Sequence, residues 1–360
     1  MSQSRATETA MSVTRRRVLK GAGGLVAAAL PASAAARGDE QSDSKTTAGA
    51  VETRSTADVT GRLARYMVAA RDRDLPAPIV RDSKNRILDT IGAMVSGAVL
   101  PPGVMATRYV RAQGGTAEAS VLTTDIRTTA VNAALANGMF AHADETDDFE
   151  PVTKAHPGSA VVPAALAMAE REGRSGTELI RAVVLGYDLC CRFLMTLGPD
   201  HVRATHRSAE GTSATFGAVG AAASLARLDE KGMRFALSYA AQQVSGLWSW
   251  TRDEDHVEKA FDFAGMGARN GVTAATMVQA GFTGVSDVLD GEHNMILALF
   301  PEIPMNLGMT LKAIQVEAII TTLLLFFGVQ SAWVLMLEPR APGISHGEAS
   351  AATELADLGV

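Results

Sequence analysis

Three hundred and sixty residues, 47% of them hydrophobic but only 5% aromatic, give room for one large domain or two with a core of small aliphatic side chains. The formal charge is −6, and beyond residue 36 the balance is 28 basic against 38 acidic residues with no basic patch interleaved with aromatics, which excludes nucleic-acid binding as the main role. The only cysteines, Cys190 and Cys191, are adjacent, which excludes a disulfide framework and a CxxC metal motif.

In chain order, Thr14-Arg15-Arg16-Arg17-Val18-Leu19-Lys20 matches a twin-arginine pattern, followed by a weakly apolar stretch and small residues at 32–36. Residues 1–36 are therefore predicted to be a signal peptide that exports the folded protein to the periplasm or the exterior. Residues 37–55, rich in Ser, Thr, Asp and Glu, read as a disordered linker. From Ala57 to about Arg269 the periodicity is helical: Ile87, Leu88, Ile91 and Val95 keep one face apolar, and Ser175-x-x-Glu178 is a capping box. The next helical pattern carries Cys190 and Cys191 as small core residues with no role in catalysis. Phe216 to Ala226 is rich in Gly and Ala, which lets helices approach closely; no GxxxxGK[ST] follows, so it is not a phosphate loop.

The polar run His142-Ala-Asp-Glu-Thr-Asp-Asp148, with His156-Pro-Gly-Ser after it, lies between two segments that want burial. Imidazoles and carboxylates held there acquire shifted pKa values and suit proton transfer. A metal site on His142, Asp144, Asp148 and His156 is the competing use, although the spacing matches no ligand motif. From Gly281 the texture changes to short pieces punctuated by Gly and Asp. Residues 318–337 carry no charge over twenty positions, just long enough to span a bilayer. A core helix, a membrane anchor and a frameshifted tail are all open readings; the helical pattern leading in from Met309 and the polar Thr321, Thr322 and Gln330 favour the core helix.

The blocks "NGMFAHADETDD…HPGSAVVPAALA" from Asn137, "ATFGAVGAAASLARL" from Ala214 and "HVEKAFDFAGMGARNGVTAA" from His256 resemble consecutive blocks of the MmgE/PrpD family, the 2-methylcitrate dehydratase and cis-aconitate decarboxylase relatives. "RILDTIGAMVSGA" from Arg86 and "GFTGVSDVLDGEHN" from Gly281 fit the same order. The resemblance implies a mainly α fold: an all-helical large domain over 56–278, only the start of a smaller α/β lid domain over 279–310, and an atypical tail over 311–360. It implies a homodimer and a lyase without metal or organic cofactor, which dehydrates a small polycarboxylate such as 2-methylcitrate. Decarboxylation or isomerisation of a related acid, or an inactive carboxylate- or partner-binding member, are the alternatives. Carried over residue by residue, it places Asp144 or Glu145, the pair Asp147 and Asp148, His156 and Lys259 in the catalytic machinery, with His142, His256 and Arg269 as substrate-binding groups. One departure stands out: where relatives carry a histidine before the "TFGA" block, this chain has Glu210-Gly211, with His206 displaced upstream.

Overall fold

Helix α8 (Ala209–Leu225) is buried along its entire length, and the rest of the fold is arranged around it. The structure, a computed structural model, describes residues 58–300. The signal peptide, the linker and the apolar run 318–337 expected from the sequence lie outside those residues. In chain order the described part runs α1 (Val59–Arg71), α2 (Ala77–Gly97), α3 (Pro101–Gln113), β1 (Ala119–Ser120), β2 (Arg127–Thr128), α4 (Ala130–Ala141), α5 (Pro157–Glu172), α6 (Gly176–Leu197), α7 (Pro199–Ala204), α8, α9 (Glu230–Gln243), α10 (Val257–Ala260), α11 (Met266–Gln279) and α12 (Met295–Leu299). A 3₁₀ turn (Trp248–Arg252) precedes α10, and a π-helical turn (Phe261–Gly265) joins α10 to α11. The fold is mainly α, as the periodicity implied. The strands are a short antiparallel pair, Ala119 opposite Thr128, which turns the chain from α3 into α4.

Close packing around α8 follows from its composition. A methyl on Gly217 would sit 2.7 Å from Cys190 Cβ and 2.9 Å from the Gly186 carbonyl oxygen, so α6 and α8 touch backbone to backbone. On the other side, a methyl on Gly271 of α11 would meet Ala218 at 2.4 Å. Small residues thus replace the usual interlocking of large side chains, and the aliphatic core of α4, α5, α6 and α11 closes around them. Cys190 and Cys191 are free and buried in α6. The capping box forms: the Ser175 side chain accepts the Glu178 N–H, and Glu178 returns a bond to the Ser175 N–H.

The apolar stripe of α2 is split. Ile87 packs against the core and Ile91 is partly buried, Leu88 and Val95 are exposed, and the buried side carries Ile79, Ser83, Thr90, Ala93, Met94 and Gly97. Thr90 and Ser83 are tolerated inside because each hydroxyl donates to a carbonyl one turn back, on Arg86 and Ile79. The segment after α11 has no strand among the described residues. It ties back to the helical body through Asp290, whose carboxylate accepts the Val59 and Thr60 N–H groups at the start of α1 (2.9 and 3.0 Å). That places a carboxylate at a helix N-terminus, where the free N–H groups and the dipole favour it.

Candidate active site

The 142–156 loop runs from the C-terminus of α4 to the N-terminus of α5, and its polar side chains are sorted by direction. His142 ends α4 and its ring is fully buried. Its Nδ1 donates to both oxygens of Asp147 (2.9 and 3.0 Å). His156, just before the proline that opens α5, donates from its own Nδ1 to Asp147 Oδ2 (3.1 Å). Asp147 therefore bridges two imidazoles, which keep its carboxyl well below the ordinary range even though burial works the other way.

The two rings acquire opposite shifts. Burial lowers the pKa of His142 more than Asp147 raises it, so this ring is held neutral. With its proton on Nδ1, His142 leaves a bare Nε2 that is buried and has no protein partner. For His156 burial also pulls downward, but the Asp147 charge and hydrogen bond, helped by Asp148 and Glu210, outweigh it and raise the pKa. The ring centroids lie 5.0 Å apart, and Phe263 from the π-helical turn stacks on His142 at 4.4 Å and meets His156 edge-on at 5.2 Å. Neighbouring imidazoles with opposite shifts are suited to divide the roles of base and acid between them.

The opposite wall comes from α10. Lys259 Nζ pairs with Glu145 and stands over the rings of Trp250 (5.0 Å) and Phe263 (5.2 Å). Burial would raise the Glu145 pKa, but the Lys259 hydrogen bond and charge lower it overall. His256 Nε2 donates to the His142 carbonyl (3.0 Å), which turns its Nδ1 toward Glu145 at 3.4 Å. Glu145 and His256 both have left-handed backbones (φ 54° and 58°), an arrangement that costs about 1 kcal/mol or more for a side-chain-bearing residue and tends to occur at functional sites.

Of the residues expected in the site, the structure brings His142, Glu145, His156, His256 and Lys259 together. Asp148 points the other way: it accepts the Gly158 N–H at the start of α5 (3.0 Å) and pairs with Arg86 of α2 (3.2 Å), which anchors the loop. Asp144 accepts from Ser96 Oγ (2.6 Å) and from Thr146, closing a turn against α2. The guanidinium of Arg269 bonds to Asn270 and stands over Phe261, both on its own stretch of chain. The metal reading also changes membership, because His142, Asp147 and His156 hold ligand atoms within 4.8 Å of one another, whereas Asp144 and Asp148 are engaged elsewhere.

Sequence reasoning gave no role to Phe263, Trp250, Glu210 or Asp262. Phe263 and Asp262 lie inside the block from His256 that carries the resemblance, Glu210 stands out only as a departure from it, and nothing in the sequence marks Trp250. Glu210 is buried and pairs with Arg203. Asp262, beside it, bonds to Ser208 and is pushed up to about 7, mainly by burial. At Gly211 a methyl would sit 3.0 Å from the Ser245 carbonyl oxygen and from Met266 Cε, so the position has no room for an imidazole. His206 is exposed and contributes its carbonyl oxygen to the Trp248 N–H (3.0 Å).

Residues 61–307 match the MmgE/PrpD N-terminal domain. Among curated proteins, the cis-aconitate decarboxylase-like protein oryM of Aspergillus oryzae is 26% identical over 258 residues, 68% of this chain and 52% of that protein. Cis-aconitate decarboxylase of Aspergillus terreus is 26% identical over 257 residues (67% and 50%), and the human enzyme of that name is 27% identical over 224 residues (59% and 44%). The chain spans about half the length of these relatives.

Proposed function

The chain belongs to the MmgE/PrpD family, and from that premise we propose that it is a lyase acting on a small polycarboxylate by proton transfer at a carbon next to a carboxylate. The observation that carries this reading is the split pair of histidines on Asp147. His142 Nε2, held neutral and unpartnered, is the base that takes the proton from carbon once substrate displaces the side chains that bury it. His156, whose pKa the Asp147 charge raises against the pull of burial, gives a proton to the departing hydroxyl. In that dehydration the C–H pair becomes the new C=C bond, the C–O pair leaves with the hydroxyl, and water departs. Lys259, flanked by Trp250 and Phe263, neutralises a substrate carboxylate and the charge that builds on it. Together such proton-transfer groups contribute factors of about 10²–10⁴ each.

A second reading, decarboxylation, is favoured by the relatives, which bear the name cis-aconitate decarboxylase. It uses the same clamp and the same acid: the C–C pair stays on carbon as carbon dioxide leaves, and His156 protonates that carbon. Assembly as a homodimer and export by the twin-arginine route, read from the resemblance and from residues 1–36, belong to the same proposal.

The test offers purified protein a 2-methylcitrate-type hydroxy acid and cis-aconitate, following ultraviolet absorbance of an unsaturated product and release of carbon dioxide. Absorbance growth without carbon dioxide supports dehydration, and carbon dioxide release supports decarboxylation. Lys259→Ala should abolish either with a melting temperature within a few degrees of the parent. Saturable binding with no turnover of either acid would leave a carboxylate-binding protein and overturn the lyase.

A further inference from the structure

Phe263 of the π-helical turn is where four side chains of the site meet. His142 stacks on it at 4.4 Å, His156 meets it edge-on at 5.2 Å, Lys259 Nζ stands over it at 5.2 Å and Trp250 stands perpendicular to it at 4.9 Å. Two of these four carry a buried polar atom with no hydrogen-bond partner among the described residues, His142 Nε2 and Trp250 Nε1. The first has a role as the base. The second is a donor, and a buried indole N–H ordinarily finds an acceptor, because one left without forfeits the bond it made to water. The chain on both sides fixes where the indole stands. Trp248 N–H donates to the His206 carbonyl (3.0 Å), Ser249 Oγ donates to Glu258 (2.8 Å) and Lys259 N–H donates to Asp253 (2.9 Å), so the 3₁₀ turn that carries Trp250 is stitched to α10.

We propose that Trp250 Nε1–H is a substrate-binding donor, the second arm of the carboxylate clamp that Lys259 begins. This rests on the reading of the site as one that holds a polycarboxylate. The distances suit it. Lys259 Nζ lies 5.0 Å from the centre of the indole ring. Charge-assisted N–H···O bonds of about 2.7–2.9 Å to its two oxygens let one carboxylate span donors up to about 7 Å apart. The same arrangement supplies a reason for substrate to displace Glu145. Glu145 accepts from Lys259 and leaves the indole N–H unused, so an incoming carboxylate that accepts from both makes one bond more than the side chain it replaces. An uncharged donor fits that place, because a second cation so close to Lys259 would be repelled by it.

The experiment uses the full chain with citrate as the probe, so that binding is read whether or not turnover follows. Trp250→Phe keeps an aromatic ring against Phe263 and Lys259 and removes the N–H. By calorimetric titration it should weaken citrate binding about tenfold or more, while Trp248→Phe should leave it unchanged. The parent protein gives an independent reading in case Trp250→Phe folds poorly. Of its three indole N–H resonances, from Trp248, Trp250 and Trp333, that of Trp250 is assigned by eliminating the others with Trp248→Phe and Trp333→Phe. It should move downfield as citrate is added and exchange more slowly with solvent. An indole proton that stays upfield, as one lodged on the Phe263 face does, and does not move at saturating citrate overturns the proposal and leaves the Lys259 clamp standing. Unchanged affinity of a folded Trp250→Phe does the same. Failure of the parent to bind either citrate or cis-aconitate overturns the proposal together with the reading on which it rests.

Discussion

Glu145 occupies Lys259 in the way a substrate carboxylate would: it is half exposed, strained at φ 54°, and held by the lysine and by His256. If Lys259 clamps substrate, Glu145 must give way, so Glu145→Gln should tighten binding of a tricarboxylate by up to about tenfold, since charge-assisted bonds run at about 1.5–3 kcal/mol and part of that is regained. Calorimetric titration reads this, and weaker binding to the variant would make Glu145 a direct ligand instead. Asp262 yields a second prediction. Its folded pKa, about 7, lies above the ordinary 3.8, so its favourable contribution is complete below 3.8 and is lost as pH rises through 7. At pH 8 the buried charge costs up to about 4 kcal/mol. Asp262→Asn should therefore stabilise the protein at pH 8 but not at pH 4, by denaturant midpoint, and an equal effect at both would show that the carboxyl is already ionised. Of the site, His142, His156, Glu145 and Lys259 were legible in the sequence because they sit in dense motifs. The distinct duties of Asp147 and Asp148 were not, because one residue of rotation around a turn sends one carboxylate between the imidazoles and its neighbour to Arg86.

At the scale of elements, helix existence was readable from periodicity and caps, but the core side of α2 was readable only in part: Ile87 packs inward, and Leu88 and Val95 do not. Periodicity reports an apolar face; it does not say how much of it the core takes, and here the core took the side carrying Thr90, Ser83 and Ala93 because small residues let α2 approach α4 and α5. The Gly-rich reading of α8 held for the same physical reason, and it supports a quantitative test. Gly217→Ala gains about 1 kcal/mol of helix propensity. It also drives a methyl to 2.7 Å from Cys190 Cβ and 2.9 Å from the Gly186 carbonyl oxygen and Val161 Cγ2. Two of those three atoms belong to the α6 backbone or are fixed to it and cannot swing aside, so the overpacking cost of about 1–3 kcal/mol prevails. The expected outcome is a net loss of stability in chemical denaturation, with free Cys190 and Cys191 unchanged. A more stable variant would mean that α6 and α8 lie farther apart than described.

For the whole molecule, the charge of the chain and the charge of its site act against each other. Beyond residue 36 the sequence carries ten more acidic than basic residues. Within the site each basic group already has a carboxylate: Lys259 has Glu145, His156 has Asp147 and Arg86 has Asp148. A tricarboxylate approaching from solution therefore meets net repulsion until it is close enough to displace Glu145. The field of the whole protein reaches about 30 Å at 0.01 M salt but only about 8 Å at 0.15 M. Screening at the higher concentration removes the repulsion while leaving the short Lys259 contact in place. The association rate of a citrate-like ligand, followed by stopped-flow tryptophan fluorescence through Trp250, should rise as salt increases over that range. Equilibrium affinity should change less than the rate, because the contacts formed at the site lie within the screening length at both concentrations. A rate that falls with salt would mean that cations at the mouth of the 142–156 loop form a positive funnel that steers the ligand.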